Sequence, residues 1–485
     1  MIALIHINYS DDHSEKILPL GILSVGSALK RAGFAVELFA FTEKEIDHFS
    51  KEIVARNPEW IGISVMTGSQ TRHSAIFSKV FRKLSNAPIV WGGIHPSLMP
   101  WQCINEEYID YLMIGEGEET VLEFARKIQD KQSIDGIKGL AYKKNGQVVI
   151  GERRPLIQNL DQWRIDFSLL DLNKFVYKQG GYERVLAYKS SRGCPFRCSF
   201  CYNLNFNESK WRAWSVKSVA EDMAFIKERY RIDAVKFYDD NFFVDKKRAF
   251  DVLEAINLPA HVEVRIDSID DGLAQKLKHY KCFDMLIGVE SGSNRLLKLI
   301  SKNFTIERTM KSVASLAKYN LPAVYSTIVG LPTETKEELD ETIELMYRIY
   351  KAHPRGYFTL GAYLPYPGSA MYQTAIKEGF LPPQITEDWG SIDRFRQNFK
   401  SPWVDVKKVW RIREYFKFFS YHLGPLNKWF EFRIKHRFFA VPLDIYIIEF
   451  LAGIAIEEKW GVGKVMRKIH SLFRRVWYKD IPLKT

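Results

Sequence analysis

Two long stretches in which strand-like apolar runs alternate with helix-like amphipathic ones, residues 1–127 and 185–363, predict an α/β protein built on two parallel sheets. A basic, aromatic-rich stretch follows them and predicts a helical C-terminal region. The expected order is an N-terminal doubly wound, Rossmann-like sheet over residues 1–130, a connector with a hairpin over 131–182, an open (β/α)6 partial barrel over 183–395 and the basic helical region over 396–485. At 485 residues the chain exceeds what one core supports. Its 46% hydrophobic and 26% charged residues suit a soluble globular protein. Residues 1–7 are a short apolar run with neither a basic segment nor a small-residue cleavage site, so a first strand is expected there rather than a signal peptide. No run has the eighteen or so apolar residues of a spanning helix, and a cytoplasmic location is expected.

In the first domain, strands are expected at 2–7, 36–41, 60–66, 88–92 and 111–114, with helices at 20–31, 43–55, 69–84 and 119–127. Ligands of doubly wound sheets bind at the carboxyl ends of the strands. Those ends carry Gly92, Gly93 and His95, then Gly115 and Gly117 in the sequence Gly115-Glu116-Gly117-Glu118. Glycines there let a backbone approach a bulky ligand, and they equally suit tight turns. His95 either faces such a ligand or caps a turn. No G-x-G-x-x-G follows the first strand, which leaves a dinucleotide cofactor without support. In the connector, Asn145-Gly146 is a strong two-residue hairpin signal.

The barrel strands are expected at 185–189, 234–238, 262–266, 285–289, 323–329 and 357–363, and barrel active sites lie at the carboxyl ends of their strands. After the first strand come Cys194, Cys198 and Cys201, three of only five cysteines, spaced C-x3-C-x2-C. Three such thiolates can each hold one iron of a [4Fe–4S] cube and leave the fourth iron open. Zinc would want a fourth protein ligand, which no nearby His or Cys supplies. An odd set of crowded cysteines cannot all pair as disulfides. The later strand ends carry Asp239-Asp240-Asn241, a set that also suits a helix N-cap; Arg265, able to clamp a carboxylate bidentately; Glu290-Ser291; and Thr327 with Gly330.

The three-cysteine spacing, with aromatic Phe200 directly before Cys201, resembles the motif of the radical S-adenosylmethionine (SAM) superfamily. The resemblance implies that SAM chelates the open iron and is cleaved by the reduced cluster to a 5′-deoxyadenosyl radical, with a reductant such as flavodoxin or ferredoxin. It implies SAM contacts at Phe200, at Asp239, Asp240 and Asn241 for the amino group, at Arg265, at Glu290 and Ser291 for the ribose, and at Thr327 and Gly330 on the adenine side. Pro19-Leu20-Gly21, the stretch Gly92-Gly93-Ile94-His95-Pro96 and the Gly115 to Glu118 loop are similar to the cobalamin-binding domain that precedes the barrel in one subfamily. Cobalamin is then expected at Gly92, Gly93, His95, Gly115 and Gly117. Asp11-Asp12-His13 begins like an axial-histidine loop, but Lys16 stands where its glycine should be, so His13 is not expected as a ligand.

The implied activity is methyl transfer to an unactivated carbon of a small molecule. Oxidative cyclisation or ring rearrangement is the alternative, and a third reading makes the N-terminal domain a substrate or partner module only. No nucleic acid is expected. A methylthiotransferase would need three more N-terminal cysteines, whereas Cys103 is alone there; Cys103 and Cys282 are expected to be buried thiols. From Ser401 onward stand 17 Lys and Arg against 8 Asp and Glu, so nine of the twelve net positive charges fall in the tail. With its interleaved aromatics this region reads either as a cap on the barrel or as a peripheral membrane contact.

Overall fold

The computed structural model describes residues 1–8, 17–393, 399–420, 425–440 and 442–447. The N-terminal sheet has seven strands: β1 (Ile2–Asn8), β2 (Val36–Thr42), β3 (Trp60–Ser64), β4 (Ile89–Gly92), β5 (Tyr111–Met113), β6 (Leu140–Lys144) and β7 (Gln147–Ile150). Their order is β2-β1-β3-β4-β5-β6-β7, with the first five parallel. The strands are apolar on both faces because each face carries its own core. Phe39, Phe77, Phe81 and Trp91 fill one, and Leu4, Leu29, Trp60 and Phe124 the other. The hairpin expected in the connector turns at Asn145 and Gly146, both at positive φ. It pairs antiparallel with β5, so the sheet runs on to Ile150, beyond the limit read from the alternation alone.

The second half contains β8 (Tyr177–Gln179), β9 (Tyr182–Tyr188), β10 (Ser191–Arg192), β11 (Arg212–Ala213), β12 (Ala234–Phe237), β13 (Ala260–His261), β14 (Glu263–Arg265), β15 (Met285–Glu290), β16 (Ala323–Val329) and β17 (Gly356–Ala362). Six parallel positions follow chain order around the barrel wall, and β8 adds an antiparallel edge to β9. The third position is broken at Val262: β13 pairs with β12, and β14 pairs with β15. The wall does not close among the described residues.

Its inner face is open. Along β16, Ala323, Tyr325, Thr327 and Val329 are buried, while the alternate Val324, Ser326 and Ile328 are only half-covered. Register sets those three beside Tyr357, Thr359 and Gly361 of β17. Tyr357 and Gly361 are exposed, and a Cβ added at Gly361 would meet nothing within 4 Å. A strand whose inward side chains are only partly covered borders an unfilled lumen and not a closed core.

Helix Val406–Ser420 packs on β17, with the Phe358 and Phe416 rings 5.5 Å apart and Phe416 and Phe419 fully buried. In this part of the tail the aromatics form a cap on the barrel. Residues 448–485, where the membrane reading also fell, lie outside the described residues. Among the described residues no helix is long and apolar enough to cross a membrane.

Candidate active site

The cysteines sit on a loop whose neck is the two-residue ladder of β10 and β11. Gly193 enters it at φ +82°, where an added Cβ would collide with the Lys210 carbonyl, so only glycine closes this neck. Cys194, Cys198 and Cys201 are all free thiols. Burial pushes the Cys201 thiol up to about 12 and raises that of Cys194, so metal binding must release their protons. Among the described residues no three His, Cys, Asp or Glu side chains converge as they would on one metal ion. A cube instead takes one thiolate at each of three corners, and three soft thiols on one loop are the donor set it needs.

Beside the loop lie two cations, Arg265 at the end of β14 and Lys302 in the segment after helix Asn294–Leu299. Arg265 places Nη1 3.7 Å from Cys198 Sγ and its guanidinium 3.8 Å from the centre of the Phe196 ring. It is held by a bidentate pair with Asp267 at 3.0 and 2.9 Å and by the Lys302 carbonyl at 2.9 Å. Lys302 pairs with Glu290 at 2.7 Å, both buried, with its ammonium 5.4 Å from the Phe200 ring centre. Burial opposes the Lys302 charge, but Glu290 and Cys198 outweigh it and hold its pKa above the ordinary lysine value.

The carboxyl ends of the N-terminal strands face this loop. Helix Ile94–Leu98 contacts Asn203–Phe206, the turn directly after Cys201. Gly368 meets Leu98 so closely that a Cβ would come 2.5 Å from Leu98 Cδ2. Glu116 and Glu118 reach Arg192 at the loop's neck.

A family model described as the radical SAM superfamily matches residues 188–346, and one described as a B12 binding domain matches residues 14–125. An uncharacterized methyltransferase of Pyrococcus horikoshii is 31% identical over 381 residues, 76% of this chain and 80% of that one. The chain belongs to the radical SAM superfamily. An anaerobic magnesium-protoporphyrin IX monomethyl ester cyclase of Synechocystis is 27% identical over 63% of each chain. The solved structure of the cobalamin-dependent SAM radical enzyme OxsB is similar in fold, with a TM-score of 0.66 and 17% identity over 98% of this chain and 75% of that one. This radical SAM enzyme has a B12-binding domain, and its cofactors are a [4Fe–4S] cluster, SAM and cobalamin.

The side chains expected around SAM divide into two groups. Arg265 and Glu290 stand beside the cluster loop, and Phe200, on the loop itself, lies under Lys302. The others have different partners. Asp239 accepts hydrogen bonds from Ser190 N, Ser190 Oγ and Ser191 Oγ, and Asp240 from Lys189 Nζ, Gly193 N and Tyr202 OH. Their carboxylates brace the neck of the loop. Asn241 caps Phe243 N at 3.2 Å. Ser291 turns outward to Thr342, and Thr327 faces Met346 on helix Lys336–Ala352. The Cβ direction of Gly330 is filled by Val404, whose neighbour Trp403 donates to the Gly330 carbonyl.

On the cobalamin side, Gly115 has φ +86° and open space where its Cβ would be. The nearest atom to a Cβ on Gly92 would be 3.7 Å away, and on Gly117 it would be Val25 Cγ2 at 3.1 Å. Gly93 is required by its own turn: at φ +99°, a Cβ would come 2.9 Å from the Val65 carbonyl oxygen. His95 is buried, bonded through Nδ1 to Thr67 Oγ1 at 3.0 Å and set edge-on against Trp389, with burial lowering its pKa to about 3. Its Nε2 is buried and has no hydrogen-bond partner among the described residues. His13 lies outside the described residues.

Sequence reasoning missed Lys302 and the two glutamates of the Gly115 to Glu118 loop. Lys302 follows an apolar helix end, where a lysine usually signals only a solvated C-terminus. The glutamates were overshadowed by the glycines between which they alternate.

Proposed function

We propose that this radical SAM enzyme is a cobalamin-dependent methyltransferase that methylates an unactivated carbon of a small molecule. The main support is the docking of the open strand ends of the B12-binding domain onto the cluster loop, beside a barrel whose inner wall is uncovered. Two cofactors and a substrate then share one chamber. The relative named as a methyltransferase supports the same reading.

Cys194, Cys198 and Cys201 would hold the cluster, and Gly92, Gly93, Gly115 and Gly117 would border cobalamin. Arg265 and the Lys302–Glu290 pair would meet SAM, with Phe200 under its chain. When bound, the cluster and SAM supply a hydrogen-abstracting radical, and cobalamin supplies a transferable methyl group. The protein's part is placement. Arg265 and Lys302, each paired with a carboxylate, present guanidinium and ammonium donors beside Cys198 that a polar ligand group would share. Ser326, Tyr357 and Thr359 offer the lumen polar contacts for orienting a substrate.

The test is anaerobic reconstitution with SAM labelled in its methyl group, a small-molecule extract and a flavodoxin- or ferredoxin-type reductant. S-adenosylhomocysteine and 5′-deoxyadenosine should form together, with the label in a substrate-derived product. Deoxyadenosine without S-adenosylhomocysteine, accompanied by a product that has only lost hydrogen, would replace this reading with that of a cyclase.

A further inference from the structure

A buried network of four charges joins the acidic loop after β5 to the neck of the cluster loop. The ladder of β10 and β11 sets Arg192 opposite Arg212 and so brings their guanidiniums to one face. Arg192 donates to Glu116 Oε1 at 2.8 Å, to Glu118 Oε1 at 2.5 Å and to Ser24 Oγ at 3.1 Å. Arg212 donates to Glu116 Oε2 at 2.7 Å, to the Ile157 carbonyl at 2.9 Å and to Asn207 Oδ1 at 3.0 Å. Ser24 Oγ donates to Glu118 at 2.6 Å, and Ile157 N donates to Glu116 at 2.7 Å. The Trp214 ring covers Arg192 at 5.2 Å. None of the four charged side chains is more than 15% exposed.

The placement of these residues matters more than their neutrality. Glu116 stands between Gly115 and Gly117, and Arg192 stands two residues before Cys194. The residues between β10 and β11 include all three cysteines. One set of bonds therefore grips the base of the cluster loop and the strand end expected to border cobalamin. Helix Leu20–Arg31, through Ser24, and the connector, through Ile157, are tied into the same knot.

Apolar contact alone would let two such surfaces slide. A planar guanidinium shared between two carboxylates fixes direction as well as distance, and burial removes the screening that weakens surface pairs. Both Glu116 and Glu118 and the Arg192 fork are hydrogen-bonded within it, with Arg212 Nε alone lacking a partner among the described residues, and a buried network bonded in this way is rigid. Reactions between groups held by different domains are sensitive to displacements of about 1 Å.

We propose that Arg192, with Glu116 and Glu118, is a positioning device that sets the geometry between the cobalamin site and the cluster. This rests on cobalamin lying at the β5 end, as proposed above. The full-length enzyme is reconstituted anaerobically and reduced until Co(II) and the cluster each carry an unpaired electron. Iron and cobalamin contents, thermal melting and the electron paramagnetic resonance spectrum are then recorded for wild type, Arg192→Lys and Glu118→Gln.

In wild type, the Co(II) signal should be split or broadened by the nearby cluster with a single, defined coupling. In the variants, both cofactor contents should equal those of wild type, while that defined coupling is lost and spreads into a range. Unchanged coupling at full loading, in every variant that folds, overturns the proposal. So does selective loss of cobalamin with the cluster and the melt intact, which would make the loop a binding element only. Arg192→Lys keeps the charge without the fork, and Glu118→Gln keeps the shape without the charge, so one folded variant decides the matter even if the other fails to assemble. A wild type that retains cobalamin but shows no coupling would instead defeat the placement of cobalamin at β5, and the proposal with it.

Discussion

Lys302 and Glu290 form a buried ion pair 2.7 Å apart beside Cys198, and Glu290 adopts φ +68°, a strained value for a non-glycine residue. Removing one partner leaves a buried charge alone, which costs about 3–5 kcal/mol, whereas removing both at similar volume is close to neutral. Lys302→Met should therefore lower the melting temperature markedly, and combining Lys302→Met with Glu290→Leu should recover most of that loss. Both proteins should bind SAM more weakly than wild type, as measured by the SAM-induced change in the spectrum of the reduced cluster. Wild-type SAM affinity in the double variant would remove this pair from the cofactor site.

Cys194, Cys198 and Cys201 are expected to act as one unit. Changing all three to Ala should abolish the brown visible absorption and the roughly four irons per chain of a reconstituted cluster. Cys103→Ala and Cys282→Ala should leave both unchanged. Those two thiols are buried, and burial pushes Cys282 up to about 12 and Cys103 higher still. Iron retained by the triple variant would place the cluster elsewhere.

Gly93 and Gly115 separate two reasons for a glycine. A side chain at Gly93 strikes the Val65 backbone, so Gly93→Val should cost stability whether or not cobalamin is bound. Gly115→Ala enters open space and should carry only the positive-φ penalty of about 1–2 kcal/mol. If cobalamin lies against β5, Gly115→Ala should still lower cobalamin retention, read from the corrin absorbance after gel filtration. Full retention by a folded Gly115→Ala protein would move the corrin away from this loop.

The parts of the molecule legible in the sequence were those written in a period or a spacing. Five parallel strands, six barrel strands, the Asn145-Gly146 turn and the cysteine loop each follow from local pattern. The partners of side chains were not legible. Both faces of β16 are apolar or small, so nothing in the sequence says that Ser326 and not Thr327 lines the lumen. The break of the third barrel strand at Val262 has no Pro or Gly to announce it. Asp239 and Asp240 were recognisable as a polar strand end, but whether they meet a ligand or a neighbouring loop depends on contacts about fifty residues away in the chain.

Glu334 is a buried carboxyl at a barrel turn. It accepts hydrogen bonds from Gly330 N and Leu331 N at the turn after β16, and burial pushes its pKa up to about 7, against the lowering effect of those bonds. The folded pKa is thus above the unfolded one, near 4.5. Between those two values the folded state holds the proton more often than the unfolded state does, so stability falls as pH rises. The contribution is fully present below about 4.5 and is lost by the time pH passes about 7, with an upper size of about 3 kcal/mol. Glu334→Gln presents the same amide-accepting oxygen without the titration. Its melting temperature should change less than that of wild type between pH 5 and 8, with the variant relatively more stable at the alkaline end. Parallel pH profiles for the two proteins would show that Glu334 stays ionised at its turn.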